Sequence, residues 1–276
     1  EQFADELREN MVVYINRESY TAGTWNAAGT HSLEKFTIET TRDAPHPSRT
    51  SLYEAWKAQQ PGDPLHLDAL GSGSDWTVFL DHLGVPSLGV GYEEGQGIYH
   101  SLYDTLTWFQ KFGDPGYEYG VAQADVTGRL VMRLTNAEVL PFDSTGTADA
   151  IGRYLDELAD LDSEGEVRDA LAAIAVANTR MRAAAVRTNR AVGGLLDCGQ
   201  AALQTRTRAL DELNGLIMKV DRNFVDERGL PRRPWYRNQL YAPGYYEGYA
   251  AKTLPGVREA IEQQEWSIAR EQATGV

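Results

Sequence analysis

The apolar positions of this chain follow two rhythms, and the change falls near Tyr117. Before it, apolar residues come in short runs separated by loops. Residues 3–10 read as the end of a helix. Met11-Val12-Val13-Tyr14-Ile15-Asn16 is a run of strand length between polar flanks, the pattern of a buried strand in a mixed or parallel sheet. Residues 19–29, rich in Thr, Gly, Ala and Asn, read as the loop that follows, and residues 33–40 fit a helix or a strand equally well. Ser51 is placed to cap a short helix through Trp56. Residues 59–69 hold Pro61, Gly62 and Pro64 without periodicity, hence a loop. Residues 75–83 read as a helix closed by Gly84, and residues 86–92 as a second short strand.

From Tyr117 the period becomes that of a helix. Val121, Ala124, Val126, Leu130, Leu134, Ala137 and Val139 outline one long amphipathic helix that Pro141 stops. Three further helices are expected at residues 148–161, 167–190 and 201–224, then a loop around Pro231 and Pro234, then a last helix from Pro255 to about Trp266. A boundary near Pro141 therefore separates strands and glycine loops (residues 1–140) from a helical bundle (residues 141–276).

Composition narrows the classes without naming one. With 276 residues, 42% hydrophobic and 24% charged, the chain is long enough for one large domain or two ordinary ones. It holds no apolar run long enough to span a membrane. A net charge of −14 argues against nucleic acid and against anionic lipid surfaces. The one cysteine, Cys198, rules out an intrachain disulfide and a thiolate metal cage, and reads as a small buried apolar side chain. It does not decide the compartment. The acidic start lacks a Met and is unlike a signal peptide, so cleavage or trimming is expected.

Two segments carry candidate chemistry. Tyr99-His100-Ser101-Leu102-Tyr103-Asp104-Thr105 places a His after a short apolar strand and a Gly-rich loop. There an imidazole can reach a metal, and Asp104 can orient the ring or a neighbouring helix. Some thirty residues earlier, Leu70-Gly71-Ser72-Gly73-Ser74-Asp75-Trp76 leads into the apolar run Val78, Phe79, Leu80, Leu83. Either segment alone is weak, since a lone His is more often structural than a ligand; the ordered pair is far harder to obtain by chance.

With VVYIN, SLYEAW, LGSGSDW, LGVPS, IYHSLYDT, VLPFD and FVDERGLPRRPWYRNQLYAP in collinear order, the chain resembles the zinc peptidase family that includes glutamate carboxypeptidase II and the non-catalytic transferrin receptor. The resemblance implies an α/β fold: the C-terminal part of a mixed-sheet zinc-exopeptidase domain, followed by an all-α dimerisation domain. It implies that His100 is a zinc ligand, Tyr99 the stabiliser of the tetrahedral oxyanion, and Asp104 a supporting residue behind them. Ser72, Gly73 and Ser74 match a loop whose backbone approaches substrate, and Tyr249 matches a substrate-binding tyrosine. Glu18 stands where the family carries an aspartate ligand; its extra methylene moves the carboxylate by over roughly an ångström unless the backbone compensates.

The resemblance also says what this stretch lacks. The family's other three ligands and its general-base glutamate fall upstream of Glu1, and His31, His46, His66 and His82 stand apart from any such motif. A centre of two zinc ions is thus expected only with an N-terminal protease segment of the same protein, and a structural calcium ion through Glu1 is a further expectation. A homodimer through the helical part, a small peptide substrate and an extracytoplasmic setting complete the picture. Glutamate-selective members carry arginines at Gly89 and Gly91 and a lysine at Gly248, so apolar or small substrates are expected over acidic ones, with Trp235, Tyr245, Tyr246 and Tyr249 as a wider aromatic pocket. Arg232, Arg233 and Arg237 read as structural. The competing expectation is a receptor-like scaffold that keeps the fold without chemistry; a third is an interaction module that dimerises alone.

Overall fold

The computed structural model describes residues 2–60, 64–93, 97–199, 203 and 205–276, leaving aside the side chains of Glu18, Ser19 and Tyr20. Helix α1 (Ala4–Asn10) leads into β1 (Tyr14–Tyr20), β2 (Thr24–Gly29), α2 (Glu34–Asp43) and α3 (Leu52–Gln59). A π-helical turn, Val78–His82, precedes β3 (Ser87–Glu93). The short α4 (Leu106–Trp108) and a second π turn lead to α5 (Glu118–Thr135).

β3 lies between the other two strands, parallel to β1 and antiparallel to β2, so the sheet is mixed. Period-two alternation sorts its side chains. Trp25, Ala27, Leu88, Val90 and Tyr92 meet Phe36, Leu52, Trp56, Val126 and Leu130 from α2, α3 and α5. Tyr14 and Ala28 on the other face meet a second core through Leu70, Trp76 and Leu80.

That second core is also the core of the helical part. It takes Ile151, Tyr154 and Leu158 from α6 (Ser144–Leu161) and Leu171 and Ile174 from α7 (Arg168–Leu196). After α8 (Thr207–Arg222), a two-stranded ribbon pairs β4 (Tyr241–Pro243) with β5 (Ala251–Thr253). Helices α9 (Pro255–Glu262) and α10 (Trp266–Ala273) close the core with Val257, Ile261 and Ala269. At the junction the turn His31–Leu33 plugs into the bundle: Asp143 N–H donates to Ser32 O at 2.8 Å and Ser32 Oγ to Asp221 at 2.7 Å. Gly146 leaves room for it, because a Cβ there would overlap the His31 carbonyl.

Several elements differ from the sequence expectation. The first strand starts three residues late, at Tyr14, and runs on through Glu18; residues 24–29, expected as loop, are β2. Residues 33–40 resolve as helix, and residues 75–83 give a turn and a π-helical turn rather than one α-helix. The long helix ends at Thr135, not at Pro141, because the chain turns at Asn136, and Asn214 of α8 then holds residues 138–140 through Glu138 O and Leu140 N. The last helix is two, broken where Gln264 takes φ 59°. The ribbon is an addition to a part expected to be purely helical. Cys198 is exposed rather than buried, its Sγ donating to Gly194 O at 3.3 Å, since the end of α7 stands clear of the core.

Candidate functional site

The loop Gly71–Ser74 is shaped by what it touches. Ser72 N–H donates to Tyr249 O at 2.9 Å and Ser72 Oγ to Gly248 O at 2.6 Å, so the loop after the sheet is stitched to the turn between β4 and β5. At Gly71 a Cβ would overlap Tyr249 O and lie 2.7 Å from Ala251 N. Gly73 has φ 103°, and a Cβ there would lie 2.7 Å from the Tyr249 hydroxyl. Only glycine meets both demands. Gly73 is exposed, so its backbone faces solvent.

Ser74 is held from the sheet. Its Oγ accepts a hydrogen bond from Asn16 Nδ2 at 3.1 Å, and Asn16 Oδ1 accepts one from the Tyr14 hydroxyl at 3.0 Å. The fold thus brings Ser72, Gly73, Ser74 and Tyr249 into one place, from segments about 175 residues apart (Ser72 Oγ to Gly248 spans 176). Asn16 belongs with them and was not singled out from the sequence, where it is only the polar residue that closes the apolar run from Met11 to Ile15; its burial is seen in the structure.

Tyr99 and His100 occupy a separate, exposed turn beyond β3. Tyr99 is 70% exposed, and the two rings stack with centroids 3.8 Å apart. His100 has φ 61°, a left-handed conformation that is uncommon for non-glycine residues and that His adopts more readily than most. The turn is closed by Ser101 N–H to Ile98 O at 2.9 Å and by Tyr103 N–H to Ser101 Oγ at 3.2 Å. Asp104 is exposed, its backbone N–H donating to Ser101 O at 3.2 Å, with no bond to the imidazole among the described residues. Glu18 lies in β1 within a register shift between Arg17 and Tyr20; its side chain lies outside the described residues, as does Glu1. Such irregularities re-aim side chains at strand ends.

Among the described residues no three His, Cys, Asp or Glu side chains gather to hold a metal ion. The donor chemistry on view is one free imidazole, which fits one ligand position and not a whole zinc site. Of the aromatic residues, Trp235 stacks on His82 at 4.8 Å and meets Tyr236 at 5.0 Å, Tyr245 meets Tyr246 at 5.0 Å, and Tyr249 covers Gly73. The arginines near them are occupied. Arg232 pairs with Glu265, Arg233 with Glu259 and Arg237 with Glu227, and Arg237 N–H donates to Asp81 O at 2.7 Å, which ties their loop to the π turn.

Comparison with known proteins gives the setting. Residues 162–276 match the transferrin receptor-like dimerisation domain. Across 95% of its length the chain is 31% identical to a protein of Arabidopsis thaliana named probable glutamate carboxypeptidase LAMP1. The chain belongs to the glutamate carboxypeptidase and transferrin receptor-like family. It is also 31% identical over 95% of its length to a probable glutamate carboxypeptidase of Arthroderma benhamiae, and 26% identical over 94% to aminopeptidase NAALADL1 of Rattus norvegicus. It spans only 37% of the first of these relatives and 36% of the other two. The family is a peptidase family by the names of these relatives, and no helix among the described residues is long and apolar enough to cross a membrane.

Proposed function

We propose that this chain is the C-terminal part of a binuclear zinc exopeptidase that hydrolyses small peptides, completed by an upstream protease segment of the same protein. The observation that carries the reading is the lock between the Gly71–Ser74 loop and Tyr249. It holds an exposed glycine backbone under a tyrosine ring at the end of the sheet, a ready surface for an extended peptide. In this reading Ser72, Gly73 and Ser74 align the substrate backbone, Tyr249 covers it, and the Tyr99 hydroxyl faces the developing oxyanion. His100 and Glu18 each serve as a zinc ligand, while Asp104 supports the turn. Zinc, when bound, supplies Lewis-acid polarisation and a reactive water.

The upstream segment supplies the remaining ligands and the general base, and the exposed apolar stretch near the site is its seat. Leu102 is 96% exposed, Tyr103 76% and Leu106 67%, more apolar surface than a finished domain leaves around a catalytic turn. A structural calcium ion near the start of the chain belongs to the same proposal. Metal analysis of the full-length protein tests it: about two zinc ions per chain are expected. A metal-free, well-folded full-length protein would instead favour the receptor-like scaffold.

A further inference from the structure

The turn between β4 and β5, which carries Tyr249, is gripped by one face of α9. Glu259 and Glu262 in that helix and Gln263 just after it are spaced i, i+3 and i+4, so all three reach the turn. Glu262 pairs with Lys252 of β5 at 2.7 Å, and Gln263 Oε1 accepts from the Tyr246 hydroxyl at 3.3 Å. Glu259 holds the turn twice. Its Oε1 accepts the Tyr245 N–H at 2.7 Å, and its Oε2 pairs at 2.7 Å with Arg233, whose guanidinium also donates to Pro243 O. One carboxylate and one guanidinium thus fix the place where β4 ends and the turn begins.

Burial decides which of these grips sets the turn. The side chains of Arg233 and Glu259 are 10% and 11% exposed, those of Lys252 and Glu262 30% and 33%, and Tyr246 stands almost free. Water competes with the exposed contacts and leaves them weak, whereas removing one member of the enclosed pair strands the charge of the other. Arg233 also reaches the far side of the site. Burial raises the carboxyl of Asp81, in the π turn that follows the Gly71–Ser74 loop, well above the usual carboxylate range, and Arg233 opposes that rise. Beyond Tyr245 the turn closes on itself, with Gly248 N–H donating to Gly244 O at 2.7 Å and Gly244 N–H to Ala250 O at 2.9 Å. It delivers the Tyr249 ring onto Gly73 and Tyr249 O onto the Ser72 N–H. We infer that Glu259 is a positioning residue of the substrate site: through Tyr245 N–H and Arg233 it sets the turn so that Tyr249 lies over the Gly73 backbone. The inference rests on the peptidase reading above for what the lock does to substrate.

The test uses the full-length, zinc-loaded protein. Glu259→Gln keeps an acceptor for Tyr245 N–H and leaves Arg233 without its counter-charge. Hydrogen–deuterium exchange should speed up at least fivefold in peptides covering residues 70–76 and 243–251, while α6 stays within twofold of the parent. For the dipeptides Ala-Leu and Leu-Ala, KM should rise at least fivefold and kcat fall less than twofold, since the ring covers substrate and transition state alike. In a Tyr249→Ala background the same substitution should change kcat/KM less than twofold, because Glu259 acts through that ring. Should Glu259→Gln loosen α6 as well, Arg233→Lys, which keeps the charge but not the fork, is measured for the same signs. Unchanged exchange in both peptides, or a KM effect that persists at full size in the Tyr249→Ala background, overturns the assignment and leaves the peptidase reading standing. If the parent cleaves neither dipeptide, the peptidase reading falls, and the exchange result alone upholds or overturns Glu259 as the residue that sets the lock.

Discussion

At the scale of single residues, Gly73 and Asp221 make the sharpest demands. Gly73→Ala combines an unfavourable φ with overlap of the Tyr249 ring, and should cost roughly 1–3 kcal/mol of stability. Adding Tyr249→Ala removes the overlap but not the backbone strain, so the double variant should recover part of the loss in a denaturant titration. Additive losses would mean that the ring and the loop are not in contact. Asp221 is fully enclosed; burial pushes its carboxyl up to about 6, against the opposing pull of its Ser32 hydrogen bond and Arg222. A raised carboxyl binds its proton more tightly in the folded chain, so its contribution is fully present below about 3.8 and is lost as pH rises through about 6. Asp221→Asn keeps an acceptor for Ser32 and removes the buried charge. It should therefore stabilise the fold at pH 8 by up to the order of 3 kcal/mol, read as a higher melting temperature, and leave the melting temperature nearly unchanged at pH 4. A gain of equal size at both pH values would dissociate the effect from titration.

At the scale of elements, α3 shows how a local signal becomes structure. Ser51 Oγ accepts from Glu54 N–H at 3.2 Å, which satisfies one free donor and starts a helix that buries Leu52, Ala55 and Trp56. Ser51→Ala should cost about 1 kcal/mol and Ser51→Asp almost nothing, measured as shifts in thermal midpoint; equal shifts would mean the cap contributes little. This helix, the two strands of the parallel pair and the long helices were legible because cap residues, apolar runs and 3.6-residue spacing are written locally. β2 was not. Thr24-Trp25-Asn26-Ala27-Ala28-Gly29 has strand formers only at Thr24 and Trp25, and its pairing with β3 depends on small residues that let Trp76 and the Asp68 backbone approach. Part of the site had the same fate. The Ser72, Gly73 and Tyr249 assembly could be expected only through resemblance, because its two halves are far apart in sequence. Asn16, which ties Ser74 to the sheet, left no periodic trace.

At the scale of the whole molecule, the helical part has faces that its own core does not cover. α7 is 29 residues long yet buries only Leu171, Ile174 and Ala185, and leaves Val176, Val186 and Leu196 exposed. Leu216 on α8 is 64% exposed. Between the two helices runs an apolar hollow of about 220 Å³ whose walls include Val139, Phe142, Met181, Val192 and Ile217. Alanine gives this helix high propensity of its own, but its uncovered apolar side chains call for a partner, and the match to a dimerisation domain over residues 162–276 makes a second copy the expected one. Sedimentation of the chain at micromolar concentration should show a dimer. A charge placed in a closely packed two-fold interface enters twice and is buried without a partner, so Leu216→Glu and Val176→Glu together should shift the equilibrium to monomer without loss of helical signal. A chain that stays monomeric at every concentration up to 100-fold above that range would remove the homodimer, and would leave the uncovered face of α7 to the upstream segment.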